Sequence, residues 1–139
     1  MLYCAFVRSI LEYGVVVWDP YTAYDRNQIE RVQRKFLNYA AFTLNIDHIP
    51  HDYIPVMDRL GLSTLVDRRQ ATSLNFLRQL IDGKIDSPEL LSFINLKVPS
   101  TYIRHTYPFL IPKFNTNYLE NQPIVRMMRM KNNDPSFLN

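Results

Sequence analysis

From its first residues the chain places apolar positions at helical spacing. Leu2, Tyr3, Phe6, Val7, Ile10, Leu11 and Tyr13 fall on one broad face, with Arg8, Ser9 and Glu12 on the other. Arg8 and Glu12 are four apart and can pair. Gly14 stands where a left-handed cap would end this helix. Val15 to Trp18 is too short a run for another helix, and Pro20 pushes Asp19 towards an extended backbone. The pattern therefore predicts an apolar connector plugged into a core.

A second helix is predicted from Thr22 or Asp25, either of which can cap it, to about Phe42. Ile29, Val32, Phe36 and Ala40, helped by Leu37, form its expected buried stripe, while Arg31, Lys35 and Asn38 line up with Gln28 on another face. Glu30 precedes Arg34 in the favourable order for an i,i+4 ion pair. After a loop with Asp47, Pro50 and Pro55, a short helix is expected over roughly Tyr53 to Leu60, stopped by Gly61. Ser63 is the predicted cap of the most regular helix, about Thr64 to Ile81, which Gly83 ends. Its apolar positions are Leu65, Val66, Phe76, Leu77 and Leu80, and Arg69 and Ser73 share that face midway along. Ser87-Pro88-Glu89 opens a short helix reaching about Leu96. From Pro99 the texture becomes irregular and rich in proline and aromatics, with room for a short hairpin and a last helix capped by Asn121 and ending near Lys131.

These elements predict a mainly α fold, a small bundle of about five helices over residues 1–98. An irregular, basic segment with a short terminal helix packs on it over residues 99–139. At 139 residues, 47% hydrophobic and with only three glycines, the composition suits helices packing aromatics better than a turn-rich β-sandwich. A single cysteine, Cys4, excludes an internal disulfide framework and is read as a small buried hydrophobe. No signal-peptide pattern and no run of roughly 20 apolar residues occurs, so a soluble, intracellular protein is expected, in nucleus or cytoplasm.

Charge adds one point. The formal net charge is +3, and residues 99–139 hold all of it, with Arg104, Lys113, Arg126, Arg129 and Lys131 against Glu120 and Asp134. Eleven of the sixteen basic residues are arginine, which favours planar contact with carboxylate or phosphate. Catalytic constellations are missing from the pattern. No glycine-rich phosphate loop, paired acids or nucleophile motif stands out. Asp47, His48, His51 and Asp52 match no standard metal spacing and read as a polar surface loop; His105 reads as structural. Arg68-Arg69 is sharper, because Arg69 lies on an apolar stripe, where a charge must be paired. Its partner is either a dispersed aspartate or a phosphate; for Arg31, Arg34 and Lys35 the choice is a solvated face or a phosphate-facing ridge.

The blocks "LYCAFVRSILEYGVVVW", "IERVQRKFL", "LGLSTLVDRRQATSLNFLRQLIDGKID" and "QPIVRMMRMKNN", in this order across nearly the whole chain, resemble the C-terminal region of non-LTR, jockey-type retrotransposon reverse transcriptases. The resemblance implies a thumb-like region after the polymerase palm, and a chain that continues something larger. The family's Tyr-x-Asp-Asp strand is absent here, so no catalytic residue carries over, and the magnesium used by such polymerases would be held by residues this chain lacks. It implies weak contact with the backbone of RNA or an RNA–DNA hybrid, with Arg31, Arg34, Lys35, Arg68, Arg69, Arg104, Arg126, Arg129 and Lys131 as candidates. Tyr102, Tyr107 and Phe109 near Arg104 either stack on unpaired bases or cover the helices. Tyr3, Phe6, Ile10, Tyr13 and Trp18 are the candidate contact with the palm or with a second copy. Alternatives are a small helical protein-interaction module or an element remnant without function.

Overall fold

A computed structural model describes residues 2–98 and 107–134, and among them the chain is mainly helical, with no strand. Arg104, Tyr102 and His105 lie outside the described residues. A π-helical segment (Tyr3–Arg8) runs into α1 (Ser9–Glu12), followed by α2 (Val15–Trp18), α3 (Ala23–Leu44), α4 (Ile54–Leu60) and α5 (Leu65–Ile81). Then come α6 (Pro88–Ser92), α7 (Asn117–Glu120) and α8 (Pro123–Asn132). Two compact units divide the chain, residues 1–69 and 70–139, the boundary falling within α5.

The two long helices begin with the same device. In Thr22-Ala-Tyr-Asp25, the Thr22 hydroxyl accepts from the Asp25 N–H at 3.1 Å and donates to the Asp25 carboxylate at 2.5 Å. Thr64-Leu-Val-Asp67 repeats it, at 3.0 and 2.6 Å. Each box satisfies an orphan donor and places a negative charge in the first turn, where the helix dipole favours it. Thr64 is therefore the cap, not Ser63, whose carbonyl instead accepts from Gln33 Nε2 at 2.9 Å. Exits are equally local. Asn45, Gly61 and Gly83 adopt left-handed backbones at φ 50°, 62° and 69°. The N–H of the residue after each left-handed position then returns to a carbonyl five residues earlier: Ile46 to Ala41, Leu62 to Met57 and Lys84 to Gln79.

Within the first unit, Leu37, Ala40 and Ala41 of α3 pack with Val56 and Leu62, flanked by Phe36, Ile46, Tyr53, Met57 and Leu60. Cys4 is half-buried against this cluster. The buried side of α3 is turned from the expected stripe by about 60° at 100° per residue. Val32 is exposed, Ile29 and Phe36 are half-buried, and Gln33 is inside. Two causes are visible: Gln33 bonds the Ser63 carbonyl, and the small Ala40-Ala41 pair fits beneath α4. Val15 to Trp18, expected as an apolar connector too short for a helix, forms a helical turn. Gly14 at φ 63° reverses the chain, Val15 is buried, and Trp18 Nε1 donates to the Tyr13 carbonyl. Asp19 is extended before Pro20 as expected, at φ −46° and ψ 120°.

In the second unit Leu77, Leu80, Phe109, Val125, Met127 and Met128 are buried. The helix opened by Pro88 ends at Ser92 rather than Leu96, because Leu96 pairs with Phe109 in an antiparallel bridge. Asn132 holds the other side of that segment, its amide accepting from Phe109 N–H at 3.1 Å and donating to Phe109 O at 3.0 Å. The last helix is capped at Gln122, with Pro123 in its first turn, instead of at Asn121.

Replacing Thr22 or Thr64 by alanine removes a reciprocal cap, and each change is expected to lower unfolding free energy by about 1 kcal/mol. Urea denaturation with unchanged m-value checks this; Thr43→Ala, which removes a hydroxyl in the last turn of α3 that donates to the Tyr39 carbonyl, should cost less.

Candidate nucleic-acid interface

Two consecutive arginines at the start of α5 face different partners. Arg68 makes a two-pronged contact with Glu12 through Nε and Nη2, the Nη2 bond to Oε2 measuring 2.9 Å. Arg8 approaches the same carboxylate at 3.7 Å, as its i,i+4 spacing predicts. Arg69 is only 2% exposed. Its Nε donates to Asp19 Oδ1 at 2.9 Å, and its Nη1 lies 3.5 Å from Glu30 Oε1. Arg26 Nε, on the first turns of α3, donates to the Pro20 carbonyl at 2.9 Å and fixes the bend that presents Asp19.

These contacts decide between the two partners the sequence left open for Arg69, in favour of the internal ion pair. Arg69 is not offered to phosphate; its guanidinium is enclosed by two carboxylates, which is what makes its burial tolerable. Arg68 is half-buried and bound to Glu12. Glu30 turns inward to Arg69, so the expected Glu30–Arg34 pair does not form among the described residues. Hydrogen bonding from Arg68 holds the Glu12 carboxyl below its usual range against the opposing effect of burial, and the same bond raises the Arg68 guanidinium.

Tyr3, read as a partner contact, is also inside, its ring stacked on Phe36 at 4.0 Å between centroids. Burial, with the Cys4, Glu30 and Glu12 charges adding to it, pushes its hydroxyl up to about 12. That hydroxyl has no hydrogen-bond partner among the described residues. Apart from Leu11, which is half-buried, the other members of the predicted apolar face are exposed. Leu2, Phe6, Ile10, Tyr13 and Val17 form an outward ridge, with Trp18 at 40% exposure beside it. The i→i+5 bonding of the π-helical segment widens its turn, so residues four apart keep nearly the same direction.

The remaining cations gather on α3. Arg31, Arg34 and Lys35 are exposed and make no ion pair among the described residues. They sit on a seam that runs Tyr24, Gln28, Arg31, Lys35, Asn38, Phe42, spaced alternately four and three residues apart, with Arg34 at its edge. At 1.5 Å per residue this seam is about 27 Å long. The helix has two acidic residues, and both are engaged elsewhere, Asp25 in the cap and Glu30 with Arg69. Its outer face is therefore cationic and studded with exposed aromatics. Tyr24, Tyr39 and Phe42 were not singled out in the sequence, although their angular distance from Leu37 and Ala41 marks them as outward.

Among the described residues of the second unit, the basic candidates Arg126, Arg129 and Lys131 are engaged. Arg129 bonds Glu120 at 3.2 Å, Lys131 bonds Asp134 at 3.3 Å, and Arg126 is half-buried with a partner of its own. Phe109 is buried and Tyr107 exposed, so Phe109 covers the interior rather than offering a stacking face. A hollow of about 550 Å³ in this unit is lined by Leu74, Leu77, Ile81 and Phe109 with Arg78, Asp82 and Lys131 at hand. Among the described residues no group of His, Cys, Asp and Glu side chains could hold a metal, and no helix is long and apolar enough to cross a membrane. No protein-family model, no curated protein and no solved structure matches the chain.

Arg69→Ala strands two partly buried carboxylates and is expected to cost about 3–5 kcal/mol, enough to unfold the unit or nearly so. Arg31→Ala should stay within about 0.5 kcal/mol. Urea titration of both variants separates a structural arginine from a surface one.

Acid and alkali should act in opposite senses. The Glu12 carboxyl is depressed in the fold, so its stabilisation is complete above about pH 4.3 and lost as pH falls below that through the folded value. Tyr3 is raised, so its share is complete below about pH 10 and lost as pH climbs towards 12. Glu12→Gln should flatten the acid limb of a stability–pH curve. Tyr3→Phe should flatten the alkaline limb and leave neutral stability unchanged or higher by up to about 1 kcal/mol, since the lost hydroxyl is buried and unbonded.

Proposed function

We propose that the chain is the post-palm, thumb-like part of a non-LTR retrotransposon RNA-directed DNA polymerase. By itself it is non-catalytic. It holds the backbone of an RNA–DNA template–primer along the outer face of α3. The observation that carries this reading is the segregation of charge on that helix, with Arg31, Arg34 and Lys35 outside and Glu30 drawn inside. Phosphate oxygens accept hydrogen bonds, and these side chains only donate them. A row of such donors along a helix suits contact that ignores base sequence, which is what a polymerase sliding along its product requires. The sequence blocks that resemble the family supply the identity of the duplex.

The outward ridge of Leu2, Phe6, Ile10 and Tyr13, with Trp18, is assigned to the palm of the parent polymerase. A second reading, a helical protein-interaction module, rests on the same ridge meeting a partner helix or a second copy.

With three phosphate contacts, affinity for an RNA–DNA hybrid should fall about 40-fold between 50 and 200 mM salt. Substituting Arg31, Arg34 and Lys35 together by alanine should abolish most of that dependence without loss of helicity. Fluorescence anisotropy at several salt concentrations, with mass followed by sedimentation, reads both. A loss under about tenfold, or equal binding by the triple variant, sinks the reading. Concentration-dependent mass with no hybrid binding turns it towards the second.

A further inference from the structure

The carboxyl end of α3 carries more than a backbone grip needs. Tyr39 is 68% exposed and Phe42 87% exposed. At 100° per residue they lie about 60° apart on the helix, one turn from each other; Lys35 points between them from about one to two turns earlier, and Asn38 lies about 40° beyond Phe42. Neither ring is stacked on another ring among the described residues. Neither acidic residue of α3 is near the rings: Asp25 lies about 21 Å towards the amino end, in the cap, and Glu30 turns in to Arg69.

Two flat, solvent-facing rings are costly to leave wet, and what would cover them is constrained by what surrounds them. An apolar protein partner would have to strip water from Lys35 and Asn38 without returning a charge. A nucleobase offers a π-face to the rings and carries a phosphate that reaches the lysine ammonium. Asn38 presents both a donor and an acceptor, as a base edge does. Arg31 and Lys35 lie four residues apart, about 6 Å along the axis, and continue the track away from the rings.

We infer that Tyr39 and Phe42 form a stacking platform for unpaired bases of the strand whose phosphates run along Arg31, Arg34 and Lys35. The site takes single-stranded nucleic acid adjoining a duplex, with no demand on sequence, because every base has a π-face. This inference rests on the proposed backbone contact of α3 and adds to it a preference for junctions.

The test uses the whole chain with two probes, a blunt RNA–DNA hybrid and the same hybrid carrying a short single-stranded extension that contains 5-iodouridine. The extended probe should bind about tenfold more tightly, the size expected of one or two stacked bases. Ultraviolet cross-links should map to Tyr39 or Phe42. The double variant Tyr39→Ala with Phe42→Ala, both exposed and expected to leave helicity unchanged, should lose the tenfold advantage while keeping affinity and salt dependence for the blunt hybrid. Equal affinity for both probes overturns the platform and leaves the backbone contact standing. So does an advantage that survives the double variant. Failure to bind either probe overturns both. If the double variant abolishes self-association and leaves the probe preference intact, the rings are a protein contact and the inference is wrong.

Discussion

A guanidinium cannot remain in a protein interior without an anion, and the first unit is organised around that constraint. Arg69, on the inner side of α5, is met by Asp19 from the bend before α3 and by Glu30 from α3 itself. Next to it Arg68 takes Glu12 at the end of α1. Two neighbouring residues of one helix thus fix the far ends of the Glu12 to Asp19 turn and the azimuth of α3. Gln33, one turn beyond Glu30, adds its bond to Ser63 and completes the orientation. A hydrophobic cluster alone would tolerate some rotation of α3; paired charges at defined distances tolerate much less.

The same pairing decides the outer surface. Residues 1–98 carry eleven basic and eleven acidic side chains, so by composition they are neutral. Yet Glu12, Asp19 and Glu30 are drawn into contact with Arg68 and Arg69, while Asp25 and Asp67 are held in helix caps. Arg31, Arg34 and Lys35 keep the exposed side of α3. A neutral stretch of sequence acquires a cationic ridge because its acids are spent elsewhere, an effect that net charge does not register.

Much of the fold was legible in the sequence because its signals are local. Gly61 and Gly83 end helices where they were expected to, and Thr22 opens α3; Gly14 is left-handed but precedes α2, because an extended Tyr13 already ends α1. Arg69 and Ser73 were recognisable as polar residues on the apolar side of α5, and both are buried. What escaped was set by distant partners. The identity of Arg69's partners depends on Asp19, fifty residues earlier in the chain. Tyr3 and Phe6 share one predicted face, yet Tyr3 stacks on Phe36 while Phe6 faces outward, because Phe36 covers only part of that face. Val32, expected inside, is exposed while Gln33 is buried for a similar reason, a carbonyl at Ser63 that only the folded chain brings near. For the candidate site, Arg31, Arg34 and Lys35 could be picked by type and spacing. Separating them from Arg68 and Arg69 required knowing which carboxylates were already engaged.

The bonds that close the first unit join residues 30, 50 and 56 positions apart. Helices capped by their own neighbours form in about a microsecond, but contacts of this span wait on the slower search of the intervening chain. During synthesis the wait is longer still. At 5–20 residues per second, roughly 3–10 s separate the appearance of Asp19 from that of Arg69. Through that interval Glu12, Asp19 and Glu30 are solvated carboxylates, and the face of α3 that will become a cationic ridge is electrically unremarkable. The ridge comes into being only when the two arginines of α5 arrive, so this surface acquires its charge from long-range pairing and not as a property of the helix that bears it.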